Sequence, residues 1–335
     1  MNLQRRIELF SQLGAYLQSD DPGWILTKER AFQENGWFTP EFIDLAANNI
    51  AKYFLDEQIL REWTSAYNLP EENKNPQRVG IVMAGNIPMV GFHDLLSVII
   101  SGNIAIVKPS SKDDVLMRHI TTKFGEWDAE MQLLIKFETI LKGCDAYIAT
   151  GSNNSAGHFD YYFRKYPHII RRNRTSVAVL SGDESNEELN ALADDIYLYF
   201  GLGCRNVTKV YVPQDYDFIP LLNAGKKYNY LAEQNKYKNN YDYNLAILIL
   251  NREKYMTNES LLLVENPSIF SPISQLNYEY YSDLHSLLES LRSNPDLQGV
   301  VGKDFIPFGK AQTPGIRDYA DGVDTMEFLI NQLPK

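Results

Sequence analysis

Cysteine is nearly absent: Cys144 and Cys204 are the only two in 335 residues. Two thiols build neither a disulfide framework nor a zinc site, and they suit a reducing compartment. The five histidines, His93, His119, His158, His168 and His285, lack metal-ligand spacing, so no metal is expected. No apolar run reaches the roughly 18 residues that a membrane span needs; Gly, Asn or Lys interrupts the longest candidates. No secretory leader is expected either, because Arg5 and Arg6 are followed by Glu8 rather than by an apolar stretch. Basic charge is in deficit: the net charge of −11 argues against a general nucleic-acid binder. Low-complexity tracts are missing as well, which argues against disorder. These absences together point to a soluble, cytoplasmic globular protein.

What is present supports a sizeable core. Hydrophobic residues make up 44% and charged residues 22% of a length that suits two or three domains. The first 76 residues read as a helical cap. Leu3, Ile7, Phe10, Leu13 and Leu17 recur at helical spacing, and Leu60, Trp63 and Tyr67 do so later. Between them, Thr39 caps a helix with Pro40 at its first position, burying Phe42, Leu45, Ala46 and Ile50. Pro70–Pro76 is polar and reads as a linker.

Beyond it the pattern changes to short apolar strands alternating with helices. Val79–Met83, Ile104–Val107, Ala146–Ala149, His168–Ile170 and Val177–Leu180 read as strands. Leu95–Ile100, Met117–Phe124 and Leu133–Leu141 read as helices between them. This alternation predicts βαβ units and a parallel sheet covered on both faces, over residues 77–180. A second α/β domain is expected over 181–303, with strands at Val207–Val212, Leu245–Leu250, Leu261–Val264 and Gly299–Val301 and a helix at Leu284–Leu291. Residues 304–335 form an irregular tail expected to pack back on both domains. In parallel sheets, ligands lie at the carboxyl ends of the strands. Asn86, Lys108 with Ser110, and Gly151–Ser152 all fall there.

One stretch in the second domain stands out for chemistry. Leu189, Leu192, Ile196 and Phe200 predict a helix, Gly201 and Gly203 end it, and Cys204 follows just before the Val207–Val212 strand. A thiol between a glycine-broken helix end and a strand start lies where backbone amides can face a reacting carbonyl, as an acyl-enzyme requires. The plain alternative is a small buried core residue. Asn86, between Gly85 and Pro88, offers N–H donors without a titratable proton, or simply forms a turn. Lys108 places a cation at a strand end, suited to phosphate, or is a solvated terminus. Ser152 is either a ligand contact or a helix cap.

Four motifs in order, Gly85-Asn86-Ile87-Pro88, Val107-Lys108-Pro109-Ser110, Thr150-Gly151-Ser152 and Gly201-Leu202-Gly203-Cys204, resemble the aldehyde dehydrogenase superfamily. Gly203-Cys204-Arg205-Asn206-Val207-Thr208-Lys209 and Asp321-Gly322-Val323-Asp324-Thr325 are most similar to its acyl-CoA reductase branch, the family of the fatty acid reductase component of bacterial bioluminescence. The resemblance spans roughly residues 77–325. It implies a Rossmann-type cofactor domain joined to an α/β catalytic domain, and reduction of an acyl-CoA or acyl-carrier thioester to an aldehyde. It further implies Cys204 as nucleophile and Asn86 as oxyanion donor beside the Cys204 amide. Lys108, with Ser110 after it, would bind the adenosine ribose and a 2′-phosphate. Gly151 and Ser152 would sit beneath the pyrophosphate. The absence of an acidic residue directly after Lys108 favours NADPH over NADH, with Asp113 and Asp114 expected to serve the dipole of the next helix. Homo-oligomerisation is compatible with this reading.

The chain also departs from that pattern. Where acyl-enzyme-hydrolysing relatives carry Glu-Leu-Gly-Gly, it has Arg171-Arg172-Asn173-Arg174, which disfavours oxidation to an acid. The third glycine of the Gly-Ser turn is displaced to Gly157, and Ser268 stands where many relatives hold the nicotinamide ribose with glutamate. Arg164, Lys165, Arg171, Arg172 and Arg174 form a basic cluster that either recognises phosphates or is a solvated face. Two other readings remain compatible with the residues: a cofactor-independent cysteine acyltransferase or thioesterase, and a non-catalytic binding subunit of the same fold.

Overall fold

The computed structural model of the chain describes residues 1–333, with Asn153 described by its backbone alone. It divides into two compact units, Met1–Asn173 with Pro314–Lys335, and Arg174–Thr313.

The first unit begins with four helices, α1 (Leu3–Leu17), α2 (Pro22–Glu34), α3 (Pro40–Tyr53) and α4 (Glu57–Ala66). Each has a side-chain N-cap: Asn2, Asp21, Thr39 and Asp56 accept from backbone amides one turn on. Trp24 and Trp63 are fully buried in this layer, whereas Trp37 keeps partial exposure. Then come β1 (Arg78–Val82), α5 (Phe92–Ile100), β2 (Ile104–Lys108), α6 (Asp114–Trp127) and the short α7 (Met131–Leu134). They are followed by β3 (Ile135–Phe137), β4 (Ala146–Thr150), α8 (Asn153–Phe163) and β5 (His168–Arg171). The five strands form one sheet in the order β3-β2-β1-β4-β5, and every pair is parallel. Val79, Ile81, Ala105, Val107, Ala146 and Ile148 are all at 0% exposure. Burial on both faces explains why these strands read as unbroken apolar runs, each such Val or Ile side chain being worth about 1.5–3 kcal/mol. The strand order reverses between β1 and β4, the switch point at which such sheets open a crevice.

The second unit contains β6 (Thr175–Val179), α9 (Asn186–Tyr197), β7 (Val207–Pro213), α10 (Ile219–Gly225) and α11 (Asn235–Asn251). β8 (Met256–Thr257), β9 (Leu262–Glu265), β10 (Gln275–Tyr281), α12 (Leu284–Arg292) and β11 (Leu297–Val301) complete it. Its sheet runs β11-β6-β7-β10-β9-β8, parallel except for the β8–β9 pair. The last helix, α13 (Thr325–Asn331), belongs to the first unit.

Several sequence expectations are corrected. Leu133–Leu141 is not a helix: α7 stops at Leu134 and Ile135–Phe137 pairs with β2 as an edge strand. Leu245–Leu250 is not a strand but the second half of α11, which starts where the Gln234 side chain accepts from the Lys236 and Tyr237 amides. Once nucleated, a helix adds one hydrogen bond per residue, so the aliphatic run continues it. β10 was not expected from the sequence, where its tyrosines and polar residues obscure the alternation. Val177–Leu180 is expected in the first sheet, but β6 pairs with β7 and β11, so the crossover to the second unit comes at Asn173–Arg174. Five buried residues in a row identify a central strand, not which sheet it joins.

Among the described residues, no helix is long and apolar enough to cross a membrane.

Candidate active site

In the first unit, three loops leave the carboxyl ends of neighbouring parallel strands. β1 leads into the loop that carries Asn86, which is half-buried. The loop packs closely on its surroundings. A Cβ at Gly85 would lie 2.5 Å from Ser110 Oγ, so only glycine lets the Asn86 loop and the Ser110 turn approach this closely. Met89 adopts φ 55°, in the left-handed region, and its amide donates 2.7 Å to Asp113 Oδ2.

β2 ends at Lys108, which is exposed and makes no ion pair among the described residues. The chain then turns: the Asp113 amide donates to Ser110 O at 3.0 Å and the Lys112 amide to Ser110 Oγ at 3.2 Å. Of the two acids expected to serve the next helix, Asp114 stands in the first turn of α6, whereas Asp113 does not cap it with its side chain. Asp113 is 3% exposed, makes no side-chain cap bond to α6, and burial pushes its carboxyl well above the ordinary range. Asp114 is paired with Arg118 at 2.7 Å. A different carboxylate enters by topology: Glu138, just after β3, donates its amide to Val107 O at 2.8 Å beside the end of β2.

β4 leads through Gly151 to Ser152, which caps α8 by accepting from the Ser155 amide at 3.3 Å. A Cβ at Gly151 would lie 2.9 Å from Ser155 Cβ and from the Phe159 ring. The structure thus brings the Asn86 loop, Lys108–Ser110 and Gly151–Ser152 to one edge of the sheet, around its switch point. A helix N-terminus and a cation without a carboxylate partner suit an anionic ligand there.

The basic cluster does not act as one surface. Arg171 is 4% exposed; its guanidinium donates 2.5 Å to Asp94 Oδ2 and 2.8 Å to Thr325 Oγ1, so it ties β5 to α5 and α13. Arg172 pairs with Asp160, and Arg174 donates to Leu297 O. His93 is structural: its Nε2 lies 2.8 Å from Ile316 O, among the rings of Phe54, Trp63 and Tyr319.

In the second unit, α9 opens with a capping box of Ser185 and Glu188. It ends at Tyr197, three residues before the expected position of Phe200. Tyr199, Phe200 and Gly201 then adopt consecutive left-handed conformations, with φ of 55°, 57° and 72°. Two buried aromatic residues in that region are costly and persist only when the surroundings hold them. Phe200 is 1% exposed and packs on Tyr237, with ring centroids 5.7 Å apart. This reversal brings the chain to Cys204, which is partly exposed.

The residue that holds this turn is Asn206, to which the sequence assigns no role. It is fully buried, and its Nδ2 donates to Asp195 O at 3.0 Å and Leu198 O at 2.8 Å, satisfying the carbonyls at the end of α9. Its Oδ1 accepts the Gly203 amide at 2.8 Å. Ser176 Oγ donates to Cys204 O at 3.2 Å. The Asp195 carboxylate accepts the Gly309 and Ala311 amides, while burial pushes it up to about 7. An Asn two residues after a Gly-Cys pair was the available signal. Replacing it with alanine strands several buried groups at once, so Asn206→Ala is expected to lose about 2–3 kcal/mol in denaturant unfolding. An unchanged midpoint would show that the turn holds itself.

Thr208 and Lys209 on the strand just after Cys204, together with Asn277 on β10, fix the loop that contains Ser268. Lys209, at 0% exposure, donates to Pro267 O and Glu279; Thr208 donates to Ile269 O; Asn277 donates to Ser268 O and Phe270 O. Ser268 Oγ is itself engaged with the Phe270 backbone.

A model of the acyl-CoA reductase (LuxC) family matches residues 47–220, a span that includes Asn86, Lys108, Gly151–Ser152 and Cys204. No curated protein matches the chain by sequence. Solved structures do match it. Aldehyde dehydrogenase 21 from Physcomitrella patens, in complex with the reaction product succinate, aligns with TM-score 0.65 and 14% identity over 91% of this chain and 74% of that one. Succinic semialdehyde dehydrogenase from Streptococcus pyogenes, in complex with NADP+, aligns with TM-score 0.62 and 15% identity over 89% and 76%. The NAD+ complex of an aldehyde dehydrogenase from Bacillus cereus aligns with TM-score 0.62 and 12% identity over 88% and 70%. At such identities the likeness is one of fold, and the fold is the aldehyde dehydrogenase-like α/β architecture.

Proposed function

Because the chain belongs to the acyl-CoA reductase (LuxC) family, we propose that it reduces an acyl thioester to an aldehyde through an acyl-enzyme on Cys204, using NADPH. The observation that most supports this reading is the convergence of Asn86, Lys108 and Gly151–Ser152 on the carboxyl ends of β1, β2 and β4.

In this reading the Cys204 thiolate adds to the acyl carbon, a carbon–sulfur bond forms, and the coenzyme leaves as its thiolate. Nucleophile and leaving group have similar pKa values, so the exchange needs little acid help. The nicotinamide, when bound, supplies the hydride that the acyl carbon accepts. Asn86 and the Cys204 amide donate to the oxygen as it gains charge. Collapse of that oxyanion breaks the bond to Cys204 and frees the aldehyde. Arg171–Arg174 offers no carboxylate to activate water, which favours transfer over hydrolysis.

Lys108 and Ser110 bind the adenosine end, and the amides at the start of α8 with Ser152 face the pyrophosphate. Asp113 is buried and Asp114 is paired, so neither offers a carboxylate to the ribose. This supports NADPH; Glu138 is the counterweight.

The test is the protein mixed with acyl-CoA and either nicotinamide, followed by absorbance of the reduced cofactor and by release of free thiol. Oxidation with aldehyde formation is expected. Thiol release without oxidation would make it an acyltransferase or thioesterase, and neither signal would make it a binding subunit. The kcat/KM ratio for NADPH over NADH is expected to fall about tenfold in Lys108→Ala, since a hydrogen bond to a charged group is worth about 1.5–3 kcal/mol. An unchanged ratio removes Lys108 from the 2′-phosphate.

A further inference from the structure

The loop that carries Asn86 is fastened by a side chain outside the motifs. Asp113 stands between the end of β2 and α6, 3% exposed. Its Oδ2 accepts the Met89 amide at 2.7 Å, and its Oδ1 is buried without a hydrogen-bond partner. Met89 follows Asn86 by three residues, is itself 2% exposed, and holds a left-handed φ of 55°. A non-glycine residue in that conformation needs an outside contact to keep it there. The amide that Asp113 receives belongs to that residue.

A buried carboxyl with one donor and one orphaned oxygen is poorly arranged for a full negative charge. Burial pushes it well above the usual carboxylate range, and the neighbouring Asp114 pushes it the same way. Burial disfavours the charged form, and the contact through which Asp113 anchors the loop is the Met89 amide.

We infer that Asp113 is a positioning residue: through Met89 it sets the backbone of the 84–91 loop so that the Asn86 amide reaches the oxyanion. This rests on the reading of Asn86 as an oxyanion donor. A carboxyl that merely filled space would not act through Asn86, and a double-mutant cycle separates the two.

The cycle uses the full chain with acyl-CoA and NADPH. Asp113→Ala is expected to lower kcat about tenfold and leave both KM values within about twofold, the pattern of a lost transition-state contact. Asp113→Asn, which keeps an uncharged acceptor for the Met89 amide, is expected to stay within about threefold of the parent. In the Asn86→Ala background, Asp113→Ala should add no further loss. Where the alanine variant does not fold, Asp113→Leu fills the space, still removes the acceptor and runs the same cycle. Multiplying losses, an Asp113→Asn enzyme as slow as Asp113→Ala, or an Asp113→Ala enzyme with full kcat would each overturn the inference. Full kcat in Asn86→Ala alone would instead overturn the reading of Asn86 on which it rests.

Discussion

Cys204→Ala is expected to abolish both covalent labelling by acyl-CoA and aldehyde formation, while the protein stays folded. The sulfur is the atom that forms the bond to the acyl carbon, and nothing at that position replaces it. Cys144 is no substitute: it lies 3% exposed in the other unit, and burial raises its thiol pKa, which keeps it protonated. The fold should survive because the turn is held through backbone groups that alanine retains. Asn206 binds the Gly203 amide, and Ser176 binds the Cys204 carbonyl. The experiment is intact mass after incubation with acyl-CoA, run beside the activity assay and a thermal melt. An acyl adduct on the folded variant would place the nucleophile elsewhere.

Asn86→Ala comes next in size. Removing one oxyanion donor typically costs about 100- to 1000-fold in kcat, or about 2.7–4 kcal/mol of transition-state stabilisation. Alanine keeps the loop backbone, whose anchors are the Met89 amide on Asp113 and the Gly85 contact with Ser110. The loss should therefore fall on kcat, with cofactor binding nearly unchanged, because the donor acts on charge that is absent from the ground state. Asn86→Asp should be at least as slow, since it sets an acceptor where a donor is needed. Titration of NADPH against the variant separates the two terms. A weakened cofactor with intact turnover would assign Asn86 to the dinucleotide instead.

The element pattern was legible in the sequence wherever local chemistry settles the outcome. Thr39-Pro40 starts α3 because the hydroxyl caps the helix and proline suits its first position. β1, β2 and β4 are short apolar runs that end in Gly, Pro or Ser, and each run became a buried parallel strand. Because the loops that follow such strands share one edge of the sheet, the grouping of Asn86, Lys108 and Gly151–Ser152 followed from the strand assignment.

Other features depend on partners far along the chain. Thr175–Val179 has the burial of a central strand in either sheet, and only pairing with β7 and β11 placed it in the second. Leu245–Leu250 has aliphatic composition suited to a strand, yet it extends a helix begun ten residues earlier. Arg171 reads as part of a surface cluster until Asp94 and Thr325, 77 and 154 residues away, are seen to bury it. The left-handed run at Tyr199–Gly201 carries no signature in its aromatic residues, and the ring packing of Phe200 with Tyr237 belongs to the fold. Sequence alone determined the apolar strands β1, β2, β4 and β7, the Thr39-capped helix and the order of the chemical groups, because those follow from steric preference and burial periodicity over a few residues. Tertiary structure alone decided which sheet each strand joined, what Asn206 and Asp113 hold, and which charges are withdrawn from solvent, because a hydrogen bond's partner is set by three-dimensional proximity.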